Sequence, residues 1–289
     1  MADTETPNLK WDVRQRLRLL EATVLLTGWV RTQSIMQVFG ISRAQAAKDV
    51  ALYQKLRPEN LVYNSSRKFF EPSENFRPLL LQGRTSELLD VLGQFRDEES
   101  PVIALTAHAP DVTMLRPLER ELDLSIFRAI SAAATLGQRV SVNYQSMNRP
   151  EPVPLILSPH ALVFSGFRWH VRAFSDSHEE YRDFVLARMR SPARLLEVPG
   201  VPADDDQAWH REVEVVITPH PDLPKAQRQV IADDYGMKKG QLQTSVREAL
   251  LGYMLKLMQV EPGRTHPDPK VQQIVLKNAE ELEPLLWKS

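Results

Sequence analysis

The side chains best suited to chemistry in this 289-residue chain are its arginines and lysines, and the chemistry they suit is anion binding. Residues 10–70 carry 11 Lys and Arg against 4 Asp and Glu, a balance of +7. Residues 71–124 carry 5 against 11, so a cationic head adjoins an acidic stretch although the whole chain is nearly neutral at −1. Chance fluctuation of charge is the competing account, and the surrounding pattern has to decide. A second asymmetry lies further along. No lysine occurs between Lys68 and Lys225, whereas 15 arginines do. The planar guanidinium binds phosphate or carboxylate through two hydrogen bonds at once, which a hydrated ammonium cannot. Codon bias explains part of this bias, and a middle region that recognises an anion explains the rest.

Other chemistries lack their residues. With no cysteine there is no disulfide scaffold, thiolate zinc site, iron–sulfur ligation or cysteine nucleophile. The histidines (108, 160, 170, 178, 210, 220 and 266) never fall at metal-binding helical spacing. The chain has no nucleophile elbow, phosphate loop or dinucleotide fingerprint. Asp204, Asp205 and Asp206 follow Pro202 and read as a solvated loop cluster. The reading is therefore a non-enzymatic protein with no cofactor and no metal.

At 43% apolar and 25% charged, the composition is that of ordinary globular proteins. At roughly 150 residues per domain the length suits two domains, or three small ones. No apolar run approaches the roughly 20 residues needed to span a bilayer, and the start MADTETPNLKWDV lacks a signal-peptide pattern. The expectation is a cytoplasmic protein without a membrane partner.

The cationic head has helical period. Val13, Leu17, Leu20 and Val24 recur at helical spacing between Lys10 and Thr27, with Arg14, Arg16 and Arg18 between them. A second helix fits 32–39, stopped by Gly40, and Ser42 can cap a third running from Arg43 to about Leu56. In that third helix Ala46, Val50 and Tyr53 share one face, while Arg43, Gln45 and Lys48 fall toward the other. Two helices joined by a tight glycine turn, the second with basic and amide groups outward, match a helix–turn–helix. Arg can bond guanine and Gln can bond adenine in the major groove. Residues 61–70 then read as a polar-tipped hairpin, a wing with Arg67 and Lys68 placed for phosphates. The pattern resembles winged-helix transcription factors, and that resemblance picks out Ser42, Lys48 and Asp49. A small helical dimerisation domain with a solvated basic face is the other reading.

Prolines 72, 78, 101, 110 and 117 break the acidic stretch, which reads as a linker with short helices at 86–95 and 116–122. A helix from Leu124 to Gly137 follows, and then the period changes to two at 139–144 and 168–173, with a further strand expected over 181–189. Alternation puts Arg182, Phe184, Leu186 and Arg188 on one face, and Arg168, His170 and Arg172 opposite Trp169 and Val171. Arginines interleaved with apolar residues are costly to bury without an anion, so a partly open cationic cleft is expected. Trp169 reads as core.

Four blocks in this region are similar to a WYL domain: Val142–Ser146, Ser158–Val163, Arg168–Phe174 and Arg182–Met189. The eponymous Trp-Tyr-Leu here reads Trp169-His170-Val171. The resemblance implies an SH3- or Sm-like small barrel that senses a nucleotide or nucleic-acid-like anion. It maps the family's polar pocket onto Tyr144, Ser146, His160, Arg182 and Arg188. Taken singly, His160 also suits a strand-end histidine, and Arg182 a surface arginine.

The C-terminal residues suggest a βαβα module: a strand at 211–218, a helix at 223–235, a strand at 241–246, a helix at 247–258 and a final helix at 271–287. That last helix ends in Leu285-Leu286-Trp287, an apolar end suited to a partner subunit. The expected architecture is α+β and multidomain: a winged helix–turn–helix (1–72), a helical linker (73–123), a central small β-barrel (124–200) and a C-terminal dimerisation module (201–289). The order resembles the BrxR/CapW type of WYL repressor found beside phage-defence operons. The resemblance implies a ligand-responsive homodimer that represses from a palindromic operator on double-stranded DNA. A non-regulatory accessory protein, holding single strands in the basic cleft, is the alternative.

Overall fold

The computed structural model describes residues 9–84, 87, 118 and 120–286. The chain divides into two compact units, residues 1–115 and 116–289. Of the linker helix expected at 86–95 only Glu87 lies among the described residues, and of that expected at 116–122 the described residues, 118 and 120–122, are not helical.

In the first unit, α1 (Trp11–Thr27), α2 (Thr32–Phe39) and α3 (Arg43–Leu56) are followed by the antiparallel hairpin of β1 (Leu61–Asn64) and β2 (Phe69–Pro72). The helices stop where the sequence says they should. Gly40 takes a left-handed conformation (φ 61°) that reverses the chain after α2, and its N–H closes on the Met36 carbonyl. The Ser42 hydroxyl then accepts the Gln45 N–H at 3.2 Å, capping α3. Leu17, Leu20, Val24, Ile35, Ala46, Val50, Tyr53 and Leu61 form the core. A buried carboxylate ties the chain leaving the wing onto α1. Glu21 accepts the backbone N–H groups of Leu79, Leu80 and Leu81 and the Tyr53 hydroxyl. Burial raises its pKa against the pull of those donors.

In the second unit, α4 (Leu124–Leu136) is capped by the Asp123 side chain and packs on a five-stranded antiparallel sheet. The strands are β3 (Gln138–Tyr144), β4 (Val153–Phe164), β5 (Trp169–Ser175), β6 (Glu180–Val185) and β7 (Met189–Pro199), in the order β6-β5-β4-β3-β7. No pairing among the described residues closes β6 onto β7, so the hydrogen-bonded ladder is an open sheet and not the closed barrel expected. The two edge strands are nonetheless consecutive. A 3-10 turn at Leu186–Arg188 breaks what sequence alternation read as one strand. The turn buries Leu186 beside Ile130, Val140, Leu157, Val171, Ala173 and Phe184. Burying a side chain the size of Leu186 contributes roughly 1.5–3 kcal/mol.

Beyond the sheet come a short helix α5 (Gln207–His210), β8 (Glu212–Pro219), α6 (Lys225–Asp234), β9 (Leu242–Arg247) and α7 (Leu251–Leu257). The single final helix expected at 271–287 is replaced by β10 (Ile274–Leu276), which pairs with β8, and a short α8 (Ala279–Leu282). The β-branched pair Ile274-Val275 suits a strand. The Asn278 amide, bonded to the Val216 N–H and the Glu214 carbonyl, holds that strand in place. Leu285 and Leu286 pack against the core of this module, and Trp287 lies outside the described residues.

Candidate nucleic-acid interface and effector cavity

Helix α3 turns two faces to different neighbours. Ala46, Asp49, Val50 and Tyr53 are buried, and Arg43, Ala44, Ala47, Lys48 and Ala51 stand exposed. Asp49 anchors the inner face. Its carboxylate receives Arg16 from α1 at 2.7 and 3.3 Å, and Arg16 also reaches Asp12 at 3.0 Å. Both Arg16 and Asp49 are buried, so the orientation of α3 on α1 is fixed by a desolvated two-pronged ion pair. Gln45 is half-buried and gives its amide to Asp49 at 3.0 Å. This departs from the outward placement expected for Gln45, because the carboxylate one turn on competes for the same donor. What protrudes is Arg43 and Lys48 among small alanines. The alanines went unnoticed in the sequence because they look like helix filler, yet they let a helix approach a groove closely and can meet thymine methyls.

The wing flanks this face. Ser65, Ser66, Arg67 and Lys68 are exposed at its tip. The Asn64 side chain accepts the Arg67 N–H at 3.0 Å, and Lys68 adopts φ 56° to close the turn. Between wing and helices lies a groove of about 530 Å3 lined by Arg31, Thr32, Gln33, Arg43, Tyr63, Arg67 and Lys68, among others. Four cations therefore converge on one depression. Arg31 is spread over Trp29 and Phe69, its guanidinium 5.2 Å and 5.9 Å from their ring centres. It also immediately precedes α2, whose first turn has no side-chain cap. Uncapped N–H groups at a helix start, beside cations, favour phosphate oxygens. Arg31 was missed in the sequence because only folding brings it to the wing.

A second cavity, of about 570 Å3, opens at the end of the central sheet. Four of the five residues singled out by resemblance line it: Tyr144, Ser146, Arg182 and Arg188. Tyr144 packs edge-on to Phe184 and accepts the Val185 N–H at 3.3 Å. Ser146 accepts the Asn148 N–H at 3.2 Å and shapes the loop. Arg182 pairs with Glu180 at the exposed rim. Arg188 reaches the cavity from the 3-10 turn and not from an alternating strand. Arg149 and His178 join the lining from the two hairpin loops. Loop residues carry no periodicity, so nothing in the sequence marked them.

His160 does not line this cavity. Its Nε2 lies 3.0 Å from Asp206, and its ring is wedged edge-on between Tyr181 and Trp209. Asp204 and Asp205 are exposed as expected, but Asp206 is 1% exposed, which corrects the reading of that residue as solvated. The same carboxylate takes Arg172 at 2.7 and 2.9 Å and caps α5. So the buried Arg172 needs no external anion, because the chain supplies its own. Burial opposes ionisation of Asp206, but Arg172 and His160 hold its carboxyl below the ordinary range.

On the same sheet face Arg172 approaches Asp183 at 3.5 Å, and the Tyr253 hydroxyl of α7 donates to Asp183 at 3.2 Å. His170, standing where the WYL family has tyrosine, lies against that ring with its Nδ1 3.1 Å from the hydroxyl. Burial lowers the His170 pKa to about 4, so its ring is neutral at pH 7. With Nδ1–H donating to Tyr253 and the Tyr253 O–H to Asp183, Nε2 is left to accept from the Ser165 hydroxyl, which also lies 3.3 Å from the Arg168 carbonyl. Asp183 neighbours Arg182 on β6 and both residues line the cavity, while the Asp183 carboxylate also accepts from Tyr253 of α7. Among the described residues no cluster of His, Asp or Glu is arranged to hold a metal ion.

A winged helix, a sheet with a cationic cavity and a C-terminal α+β module, in that order on one chain, define a class of three-part transcriptional regulators. Family models agree. Residues 12–94 match the winged helix–turn–helix domain of the BrxR transcriptional regulator, 125–194 the WYL domain, and 212–282 the C-terminal dimerization domain of BrxR. The DNA-binding transcriptional repressor CapW of Stenotrophomonas maltophilia is 32% identical over 98% of this chain and 95% of its own. The CapW proteins of Pseudomonas aeruginosa and Escherichia coli are each 33% identical over 96% of this chain and 93% of theirs. The chain belongs to the BrxR/CapW family of transcriptional regulators.

Proposed function

We propose that this protein is a homodimeric, ligand-responsive repressor that binds a palindromic operator in double-stranded DNA, in the cytoplasm, and controls a phage-defence operon without catalysing a reaction. The observation that carries this reading is the exposed Arg43–Lys48 face of α3 beside the four-cation groove of Arg31, Arg43, Arg67 and Lys68. Helix α3 enters the major groove with Arg43 and Lys48 as its reading side chains, and the wing and Arg31 grip phosphates. A two-fold dimer places two such heads on half-sites one or two helical turns apart. Arg43→Ala and Lys48→Ala are each expected to weaken operator binding by about 1–3 kcal/mol, measured by gel shift on the upstream duplex. Gln45→Ala is expected to matter less, since its amide already serves Asp49. Loss of Arg31, Arg67 or Lys68 should weaken all sequences alike and flatten the salt dependence. Undiminished binding by Arg43→Ala and Lys48→Ala together would remove α3 from the interface. Equal affinity for unrelated duplexes would instead favour the accessory-protein reading.

The effector is an anion held by Arg149, Arg182 and Arg188, with Tyr144 and Ser146 beside them: a nucleotide or a nucleic-acid end. It acts only through different affinity for the DNA-bound and free arrangements of the dimer. Arg188→Ala should leave operator binding largely intact while 5′-phosphorylated oligonucleotides, titrated as probes, no longer release the operator. A variant that releases DNA like the wild type would clear Arg188 of this role.

A further inference from the structure

We propose that the surface through which two copies of this chain meet extends beyond the C-terminal module onto an aromatic ledge of the central sheet, formed by Phe164, Phe167 and Trp169 and completed by Leu257. Phe164 and Trp169 face each other at the turn end of the β4–β5 hairpin, with ring centres 5.3 Å apart, and Phe127 packs edge-on against Trp169 at 5.6 Å. Phe167 sits on the turn between them. Their exposures are 54% for Phe164, 49% for Phe167 and 36% for Trp169, so the tryptophan that sequence pattern placed in the core stands at the surface. Gly166 in the same turn has φ 83°, and a Cβ there would lie 2.6 Å from the Leu257 side chain. The last residue of α7 is thus seated directly on the hairpin tip, yet Leu257 remains 52% exposed. Four large apolar side chains from two modules are thus exposed around one turn, and monomers rarely leave large apolar patches to water.

The occupant is a second copy of the chain. Leu257 lies inside residues 212–282, the stretch matching the dimerization domain, so the side chain that completes the ledge belongs to the module whose family is named for self-association. Aromatic side chains flanking an arginine, here Arg168, are the composition of the energetic centre of protein interfaces. Single-stranded nucleic acid also stacks on aromatic rings, but it gives no reason for an exposed leucine beside them.

The test uses the full-length protein. In sedimentation equilibrium, Phe164→Glu and Phe167→Glu are each expected to raise the dimer dissociation constant by about ten- to a hundred-fold, while Phe167→Leu stays near the wild type. Circular dichroism separates this from misfolding. As a measurement that leaves the surface apolar, p-benzoylphenylalanine at position 167 should, on illumination, give a covalent dimer. Wild-type dissociation constants for both glutamate variants, or photocrosslinks confined to a single chain, would overturn the proposal. So would an intact dimer that loses single-stranded DNA binding, which would make the ledge a nucleic-acid surface.

Discussion

Arg16→Ala is expected to destabilise the winged helix by about 3–5 kcal/mol, because it strands the buried Asp49 carboxylate without its counter-ion. Gln45 alone then faces that charge through one amide hydrogen bond. The Arg16–Asp12 contact does not share the effect, since Asp12 is largely exposed and an exposed pair contributes at most about 1 kcal/mol. Denaturant unfolding of the full-length chain, followed in its first transition, measures the loss. The informative partner is Arg16→Met with Asp49→Leu. Removing both charges leaves nothing unpaired, so most of the stability should return. If the double variant is as unstable as the single, packing and not charge pairing fixes α3 on α1. Operator binding by the double variant then reports whether the ion pair also sets the angle at which Arg43 and Lys48 are presented.

The second large effect concerns acidity. Burial raises the Asp183 pKa to about 6, against the pull of Arg172, and lowers the His170 pKa to about 4. The two groups work in opposite directions. Asp183 contributes its stability below its unfolded pKa near 4, and loses it as the pH climbs through about 6. His170 contributes above pH 6.5 and loses its share as the pH falls toward about 4. Each swing is worth about 3 kcal/mol across that window, so in the wild type they largely cancel. Asp183→Asn should uncover the histidine, giving a protein that weakens steeply from pH 7 to pH 5. His170→Gln should do the reverse and strengthen over the same range. Melting temperatures across pH for the three proteins check this. Parallel curves would mean that the two side chains do not titrate as this packing requires.

The head of this protein was readable from its residues because its signals are local. Helical period, the Ser42 cap and the Gly40 stop each act within one turn of chain, and the structure places three helices and a wing where they predict. The central sheet was less legible. Arg182 and Arg188 were read as neighbours on a strand, but the Leu186–Arg188 turn intervenes. Strand β7, with Pro192 inside it and no alternation, was not foreseen. The partners of buried charges were the least accessible. Asp206 meets Arg172 across 34 positions and His160 across 46, and Glu21 meets Leu79 across 58. Residue type says that such a charge must be satisfied and says nothing about by whom. That is why His160 and Gln45, both plausible ligand contacts by type, stand engaged within the protein, while Arg31, Arg149 and His178 entered the candidate sites from positions without pattern.

The joint that Asp206 and Tyr253 make with the back of the sheet has a bearing on how this lineage can be recombined. A chimera that grafts the tail of one relative onto the sheet of another, cut between Pro199 and Gln207, would carry Arg172, His170 and Asp183 into a setting evolved around different mates. Exchange of the sensor between regulators should therefore succeed when the segment transplanted includes α5 and α7, and yield insoluble protein when it stops at the strand boundary.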